Sequence, residues 1–374
     1  MSRVLVTGAT GFVGGHLCKT LLAAGYAVTA ATRRTDAPEI HPDVRTVNVG
    51  EIGPRTDWQK ALDSVEFVIH AAARTHVLRE RLGVSENSYR RINLEATRTL
   101  AAQAAERGVR RFIFISSVKV GGEFSIPGRP LRAVSLPAPE DAYGRTKLEA
   151  EEALVDMACT AHMDILILRV PLIYGPGVKG NMLSLFKVVN KGMVLPLKCI
   201  NNRRDLIYVL NLVDATMRAI ERKNFSKKIY YVCDGEPVST TDLVRQISCA
   251  LNRPARFFFF PISILKILGC ITGQSHGIRK LTQTLEVDGT EFCEEAEWGS
   301  PFSMKEGLAS TAAAGIRYGM ALYPILSKSE RLLRRPIGIV TKPDTFSPMI
   351  HRGRMSSIIL TISCQRSLSS WLPF

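Results

Sequence analysis

Tyr143 and Lys147 have the spacing of a proton-transfer pair, Y-x-x-x-K. On a helix, residues four apart share one face, so their side chains can interact. A phenol with a pKa near 10 is a poor base at pH 7, and lowering that pKa by roughly three units requires about 4 kcal/mol of preference for the phenolate. A neighbouring ammonium supplies part of that preference electrostatically. The pair therefore predicts proton exchange with an alcohol or a ketone.

The dipeptide Ser116-Ser117 lies upstream of this pair, at the end of an apolar run that is typical of a buried strand. At a strand end, either hydroxyl can hydrogen-bond the substrate oxygen that Tyr143 serves. Of the nine tyrosines, only Tyr143 has a lysine four residues later. An exposed helix surface is the alternative explanation, because the Tyr–Lys spacing by itself arises easily by chance.

The first apolar run leads into a glycine-rich turn, Thr7–Gly14, with the pattern T-G-x-x-G-x-x-G. Gly8 permits a tight turn, Gly11 lets the backbone approach a pyrophosphate, and Gly14 lets a helix pack close to the strand. The helix N-terminus then offers free N–H groups and the positive end of its dipole to phosphates. These features predict a dinucleotide site and, together with Tyr143, hydride transfer to or from a nicotinamide.

The end of the second predicted strand distinguishes the two nicotinamide cofactors. Sites for NAD place an acidic residue there for the adenine ribose, whereas this chain has Thr32, Arg33 and Arg34. Arginine suits a 2′-phosphate by its charge and its bidentate geometry, so NADP is favoured over NAD. The alternative is that both arginines are solvated and stack on the adenine.

Strand-like and helical patterns alternate through the first half of the chain. The predicted strands are Arg3–Thr7, Ala27–Ala31, Val44–Val49, Val65–Ala71, Phe112–Ser116 and Ile165–Val170, and the predicted helices cover Gly11–Ala24, Ile92–Arg107 and Ala142–His162. This alternation predicts an α/β fold, a Rossmann-type doubly wound parallel sheet with a smaller C-terminal substrate-capping region. Ligands of such a sheet bind at the carboxyl ends of its strands.

Three regions are predicted along the chain. Residues 1–175 form mainly the NAD(P)-binding Rossmann domain, and residues 176–314 form mainly a substrate-binding cap, from which Lys228–Val232 returns to the main sheet. Residues 315–374 form a basic tail that need not be ordered; it holds nine Lys or Arg and two Asp or Glu, which is +7 of the net +15. The most apolar later stretch, Phe257–Thr272, is interpreted as a core or cap helix, with a membrane-surface helix as the alternative.

Composition excludes several classes of protein. Among 374 residues, 46% are hydrophobic and 22% are charged, which excludes wholesale disorder, a collagen-like repeat and a disulfide mini-scaffold. The eight cysteines are scattered without a C-x-x-C pair, so we expect no metal site and the reduced thiols of a cytoplasmic protein. No signal-peptide pattern is seen. Because nearly half of the net charge lies in the tail, a nucleic-acid partner is not expected.

Seven segments carry a resemblance to a known family: VLVTGATGFVG, VIHAAA, INLEATRTL, FISSVKV, YGRTK, LRVPLIYGPG and NRRDLIYVLNLVDA. Over residues 3–312 the chain resembles the extended short-chain dehydrogenases/reductases of the nucleotide-sugar epimerase/dehydratase family. It looks most like the subgroup that acts on UDP-sugars in surface-polysaccharide synthesis, which includes UDP-glucose 4-epimerase-like proteins and 4-keto reductases that form UDP-N-acetylquinovosamine. The resemblance implies an enzyme acting at C4 of a UDP-sugar, by 4-keto reduction or 4-epimerisation.

The resemblance also implies site residues and partners. The implied catalytic residues are Ser117, Tyr143 and Lys147. The implied cofactor-binding residues are Gly8, Gly11, Phe12, Val13, Gly14, Arg33, Ala71, Ala72, Ala73, Asn93, Tyr143, Lys147, Val170 and Pro171, and the implied substrate-binding residues are Lys119, Asn181, Arg204 and Arg279. The partners expected are a small-molecule UDP-sugar and a second copy of the chain in a homodimer, with weak association with a membrane surface as a further expectation.

Some positions depart from the family pattern. Leu172 stands where an asparagine often contacts the sugar nucleotide, and Thr290-Glu291 replaces the usual Ser-Lys, so Arg279 is the substitute candidate for the second phosphate clamp. The arginines after the second strand favour an exchangeable NADPH, and hence a reductase over an epimerase that holds its cofactor. A different class stays open, a catalytically silent NAD(P)-binding redox-sensing regulator on the same fold.

Overall fold

Seven parallel strands form the central sheet of the protein, for which a computed structural model describes residues 1–36, 39–75 and 85–317. The strands within these ranges are β1 (Arg3–Thr7), β2 (Ala27–Thr32), β3 (Arg45–Asn48), β4 (Phe67–His70), β5 (Arg111–Ser117), β6 (Asp164–Val170), β7 (Leu172–Tyr174), β8 (Leu206–Tyr208) and β9 (Ile229–Tyr231). The central order is β3-β2-β1-β4-β5-β6-β9, and β7 pairs with β8 separately. The order reverses between β1 and β4, and ligands bind outside the carboxyl ends of strands at such a reversal.

Helices cover both faces of this sheet. The helices within the described ranges are α1 (Phe12–Ala23), α2 (Glu86–Arg90), α3 (Ala96–Glu106), α4 (Ala142–Ala158), α5 (Gly180–Asn190), α6 (Val209–Glu221), α7 (Thr240–Ala250), α8 (Ile262–Ile271), α9 (Ser275–Thr282), α10 (Thr290–Ala296) and α11 (Met304–Arg317). Successive side chains of β5 alternate between the faces: Phe112 and Phe114 pack with α3 and α4, whereas Ile113 and Ile115 pack with α1 and α6. A strand buried on both faces explains why β5 reads as a continuous apolar run. The predicted doubly wound parallel sheet is confirmed.

A separate buried cluster holds the C-terminal elements together. It includes Tyr174 of β7, Phe186 of α5, Tyr208 of β8, Val244 of α7 and Leu308 of α11. Within this half, β9 pairs in parallel with β6, so the predicted return of the chain to the main sheet is confirmed.

Two helix boundaries differ from the prediction. The predicted helix over Ile92–Arg107 opens with a π-helical turn, Arg91–Glu95, before α3 begins. Such wide turns are frequent at functional sites, and Asn93 lies within this one. The predicted helix over Ala142–His162 ends at Ala158, because the next N–H groups form tight turns, with Cys159 N donating to Asp156 O at 3.2 Å.

Two further predictions concern the last third of the chain. The basic tail, residues 315–374, lies outside the described residues from position 318 onward. The helix expected within Phe257–Thr272 is α8. None of the helices described is both long and apolar enough to cross a membrane.

Candidate active site

The glycine-rich turn joins β1 to α1 at the reversal of the strand order. Gly8 has φ of +67°, and the Gly11 N–H donates to the Gly8 carbonyl at 2.8 Å. A Cβ at Gly8 would lie 2.8 Å from Ala72 N, and a Cβ at Gly14 would lie 2.1 Å from the Gly8 oxygen, so neither position has room for a side chain. The first turn of α1 contains no acidic residue and no side-chain cap. This bare backbone and open helix N-terminus fit a pyrophosphate.

The other residues predicted to bind the cofactor lie around this turn and at the same sheet edge. Phe12 and Val13 form the first turn of α1. Ala71–Ala73 follow β4 directly, and the backbone of the first two abuts Gly8. Val170 is the last residue of β6, and the buried Pro171 follows it. Because carboxyl ends of parallel strands share one edge, these segments converge there.

Arg33 directly follows the last residue of β2, where its side chain is exposed. Its neighbour Arg34 is held by an ion pair with Asp36, which partly neutralises the charge of that guanidinium. Of the two arginines, Arg33 is therefore the one whose charge is not already matched by Asp36.

A buried histidine that we had not predicted links the turn to α3. The hydroxyl of Thr97 donates to the Asn93 carbonyl at 2.8 Å, so it accepts from His70 Nε2 at 2.9 Å. That leaves His70 Nδ1 to accept from Thr7 Oγ1 at 2.6 Å, while Thr7 Oγ1 accepts from Ala72 N at 3.2 Å. Burial, together with the charge of nearby Lys147, lowers the pKa of His70 to about 3, so the ring is neutral. A single buried histidine has no motif that would have revealed this role.

Asn93 connects three segments through one amide. Its Oδ1 accepts from the backbone N–H of Arg74 at 2.8 Å, and its Nδ2 donates to the carbonyl of the same residue at 3.1 Å. Nδ2 also donates to Thr146 Oγ1 of α4 at 3.1 Å. The chain that follows Ala71–Ala73 is thereby fixed to α4, which carries the predicted acid/base pair.

The two adjacent serines at the end of β5 have different partners. Ser116 is buried and donates to Glu151, whose carboxylate also pairs with Arg169 at 2.7 Å. Ser117 instead hydrogen-bonds the hydroxyl of Tyr143. The structure therefore brings Ser117, and not Ser116, to the tyrosine.

Tyr143 lies in the first turn of α4, which Asp141 caps by accepting from Gly144 N at 2.7 Å. Burial raises the pKa of Tyr143 to about 12, the Ser117 hydrogen bond opposes this, and the Asp141 carboxylate adds to it. The sequence predicted a lowered pKa for Tyr143, but in the protein without a bound cofactor this pKa is raised. The positive charge of an oxidised nicotinamide is a further source of stabilisation for the phenolate.

Lys147 is buried one turn further along α4. Its ammonium donates to the Ile115 carbonyl at 2.8 Å and lies 3.6 Å from the centroid of the Phe114 ring. Burial lowers the pKa of Lys147 to about 7, and the Glu151 carboxylate opposes that shift. The amine therefore exchanges its proton near neutral pH.

Lys119 follows Ser117 by two residues and lies between two carboxylates. Its Nζ pairs with Glu123 at 2.8 Å and with Asp141. Burial alone would lower the pKa of Lys119, but hydrogen bonds to Asp141 and Glu123 reverse this and raise it. The ammonium remains charged, and a substrate phosphate would have to compete with two carboxylates for it.

Arg204, the predicted phosphate ligand, contributes to the same charged region. Its guanidinium donates to the Gln283 carbonyl at 3.1 Å, and burial lowers its pKa to about 10. Lys280 of α9 lies close enough to Lys119 and Arg204 that both cations, after burial itself, lower its pKa. Lys280 was not predicted. Its neighbour Arg279 was chosen as the second phosphate ligand, and no motif distinguishes the two residues.

The two remaining predicted substrate residues, Arg279 and Asn181, have other surroundings. Arg279 pairs with Glu140 at 3.4 Å and stacks on the Phe124 ring, 4.3 Å from its centroid. Asn181 is in the first turn of α5 and is half-buried. No contact described brings either of them to Tyr143.

Comparison with known proteins identifies the family of this chain. The family model described as the NAD dependent epimerase/dehydratase family matches residues 4–233. A UDP-glucose 4-epimerase of Vibrio cholerae is 39% identical over 313 residues, covering 83% of this chain and 94% of that protein. An N-acetyl-alpha-D-glucosaminyl-diphospho-ditrans,octacis-undecaprenol 4-epimerase of Escherichia coli O157:H7 is 25% identical, covering 83% of this chain and 94% of its own length.

Solved structures show the same fold. The crystal structure of a UDP-glucuronic acid 4-epimerase from Bacillus cereus in complex with NAD superposes with a TM-score of 0.68, at 23% identity, covering 83% of this chain and 96% of that one. The family model covers most of the described chain, and the Vibrio cholerae relative is 39% identical over 313 residues. The chain therefore belongs to the NAD-dependent epimerase/dehydratase family, a group of extended short-chain dehydrogenases/reductases that act on nucleotide sugars.

Proposed function

We infer that this protein is an enzyme that inverts the configuration at C4 of a UDP-sugar, using a nicotinamide cofactor. The observation that carries the proposal is the hydrogen bond between Ser117 and Tyr143, next to the buried Lys147, at the edge where the glycine turn lies. The high identity to a UDP-glucose 4-epimerase over nearly the whole of that relative supports the choice of reaction.

The residues divide the work as follows. Ser117 and Tyr143 hold the hydroxyl oxygen at C4 of the sugar, and Tyr143 takes its proton and later returns it. Lys147, whose amine titrates near neutral pH, stabilises the phenolate when it is charged. A bound nicotinamide supplies the acceptor and donor of the hydride at C4. Arg204 and Lys280 bind the diphosphate by charge-assisted hydrogen bonds.

The cofactor we propose is NADP, with NAD as the alternative. The exposed Arg33, directly after β2, supports a 2′-phosphate. The structural neighbour from Bacillus cereus holds NAD, which supports the alternative. Competitive binding of NADPH and NADH to the purified protein separates the two.

A second candidate function is reduction of a 4-keto UDP-sugar. Arg33 supports this function, because it favours NADPH, which a reductase binds and releases in each turnover. The experiment that tests both is to denature the purified protein and quantify the nucleotide released, then to assay interconversion of UDP-glucose and UDP-galactose. Near-stoichiometric dinucleotide together with interconversion supports the epimerase. An empty protein that oxidises NADPH only in the presence of a 4-keto UDP-sugar supports the reductase.

A protein that releases or binds a dinucleotide but turns over neither kind of sugar would instead be a redox-sensing regulator. The assembled Ser117, Tyr143 and Lys147 favour an enzyme over that regulator. We also propose a homodimer in the cytoplasm that serves the synthesis of surface polysaccharide precursors. Light scattering of the purified chain tests the dimer.

A further inference from the structure

One side of α8 carries large apolar side chains that face solvent. Ile264, Ile267, Leu268 and Ile271 are 45%, 59%, 40% and 76% exposed. Their spacing of three, four and seven residues places all four on one face of the helix. We call this set the α8 apolar face.

The opposite side of α8 is packed firmly on the protein. Leu265 is buried, and Gly269 lies so close to α9 that a Cβ there would be 2.3 Å from Ile278 Cδ1. One side of α8 is therefore held against α9 by a close helix–helix contact. The α8 apolar face is on the other side and points to solvent.

The apolar surface extends into the segment before the helix. Phe258 and Phe259 are 43% and 64% exposed. The Phe258 N–H donates to the Leu195 carbonyl at 3.0 Å, which pins this segment to the body of the protein. Six large apolar side chains within 14 residues of sequence thus face solvent. Single exposed apolar residues are common on protein surfaces, but a contiguous group of this size indicates an interaction site.

The sequence around this face is basic, and two of its cations, Arg245 and Arg279, are paired with Asp242 and Glu140. Residues 243–285 contain six Lys or Arg and no Asp or Glu. Of these cations, Lys266 lies on α8 itself and Arg256 precedes the two phenylalanines, and both are exposed. Pairing with a second copy through this face would bring two such cationic segments together, which like-charge repulsion opposes. An anionic surface has the complementary charge.

We propose that the α8 apolar face docks on the surface of an anionic lipid bilayer. A helix of ten residues is about 15 Å long, too short to cross a bilayer, so α8 lies in the plane of the interface with its apolar side chains among the acyl chains. Lys266 and Arg256 then meet the lipid phosphates. Because α9 packs on α8 and carries Lys280 of the active site, the docked surface is one helix away from that site.

The test is co-sedimentation of the full chain with vesicles of phosphatidylglycerol and phosphatidylethanolamine, and with vesicles of phosphatidylcholine alone. We expect binding to the anionic vesicles. The double variant Ile267→Glu/Ile271→Glu should bind them at least about tenfold more weakly, because two apolar side chains that docking would bury in the bilayer are replaced by charges. The control Leu136→Glu adds a charge at a position that is 88% exposed and far from α8 in sequence, and should bind as the wild type does.

Any attraction by the basic residues beyond position 317 is the same in all variants, so it cancels in the comparison. Dinucleotide binding and thermal unfolding of each variant show that it is folded; if the double variant does not fold, Phe259→Ser replaces it. Equal sedimentation of wild type and double variant would overturn the proposal. So would a lipid-free dimer that the substitutions convert to monomer, since the face would then bind a second copy.

Discussion

Lys119 and Asp141 form an ion pair that ties the end of β5 to the start of α4. Asp141 also caps that helix, and Lys119 follows Ser117 by two residues. The ion pair therefore links the segment that follows Ser117 to the helix that carries Tyr143. Lys119 is a positioning residue for the acid/base pair, in addition to any contact it makes with substrate.

Substituting Lys119 by Met should lower the free energy of unfolding by about 3–5 kcal/mol, because it leaves the buried Glu123 and the Asp141 carboxylate without their cation. Urea unfolding at pH 7 measures this. Lys119→Arg keeps the charge and should lose much less. If Lys119 acted only on a substrate phosphate, the Met variant would raise KM and leave the unfolding free energy unchanged.

Tyr143→Phe should reduce turnover by about 10²- to 10⁴-fold, since it removes the group that exchanges the proton. The Kd of the dinucleotide should stay within about twofold, because the ring and the glycine turn remain. Steady-state kinetics and fluorescence titration measure the two quantities. Tyr26→Phe is the matched control, since that ring packs against the core on the other side of the fold. Substantial turnover by the Tyr143 variant would remove Tyr143 from the acid/base role.

Lys147 should make stability depend on pH. Its pKa is lowered to about 7 in the folded protein from 10.5 in the unfolded chain, so between pH 7 and 10.5 the unfolded state binds more protons. The free energy of unfolding therefore gains a contribution that rises with pH, by up to about 1.4 kcal/mol per unit, and that is lost as pH falls towards 7. The difference between wild type and Lys147→Met isolates this contribution from other titrating groups. A difference that does not change with pH between 7 and 10.5 would contradict the burial of Lys147 as an amine.

Arg33→Ser should weaken binding of NADPH by about 10- to 100-fold, the value of a charge-assisted hydrogen bond to the 2′-phosphate. Binding of NADH should not change, because it lacks that phosphate. Isothermal titration with each nucleotide measures both. Arg34→Ser is the control, since that guanidinium is already paired with Asp36. Parallel losses for NADPH and NADH would mean that Arg33 stacks on the adenine instead.

Sequence patterns predicted the fold well where one pattern determines one element. The apolar runs of β1, β4, β5 and β6 are buried on both faces, so their composition alone marks them as central parallel strands. The glycine turn was equally clear, because only glycine satisfies the close contacts at Gly8 and Gly14.

Features that depend on three-dimensional neighbours were not accessible from the sequence. Ser116 and Ser117 are chemically alike, and only the position of Glu151 shows that Ser116 is the one whose hydroxyl already has a partner. His70 resembles any core histidine until its two threonine partners are known. Lys280 requires the packing of α9 to place it beside Arg204.

The pairing of β9 with β6 has a consequence for synthesis of the chain. β6 ends at Val170, but the strand that covers its outer edge ends at Tyr231, so roughly 60 residues must leave the ribosome in between. At roughly 5–20 residues per second, that edge stays bare for several seconds. Ile207 and Leu212, which complete the core on the α1 side, also arrive in this interval. During that interval the outer edge of β6 has no partner strand from this chain, and an open sheet edge can pair with another chain.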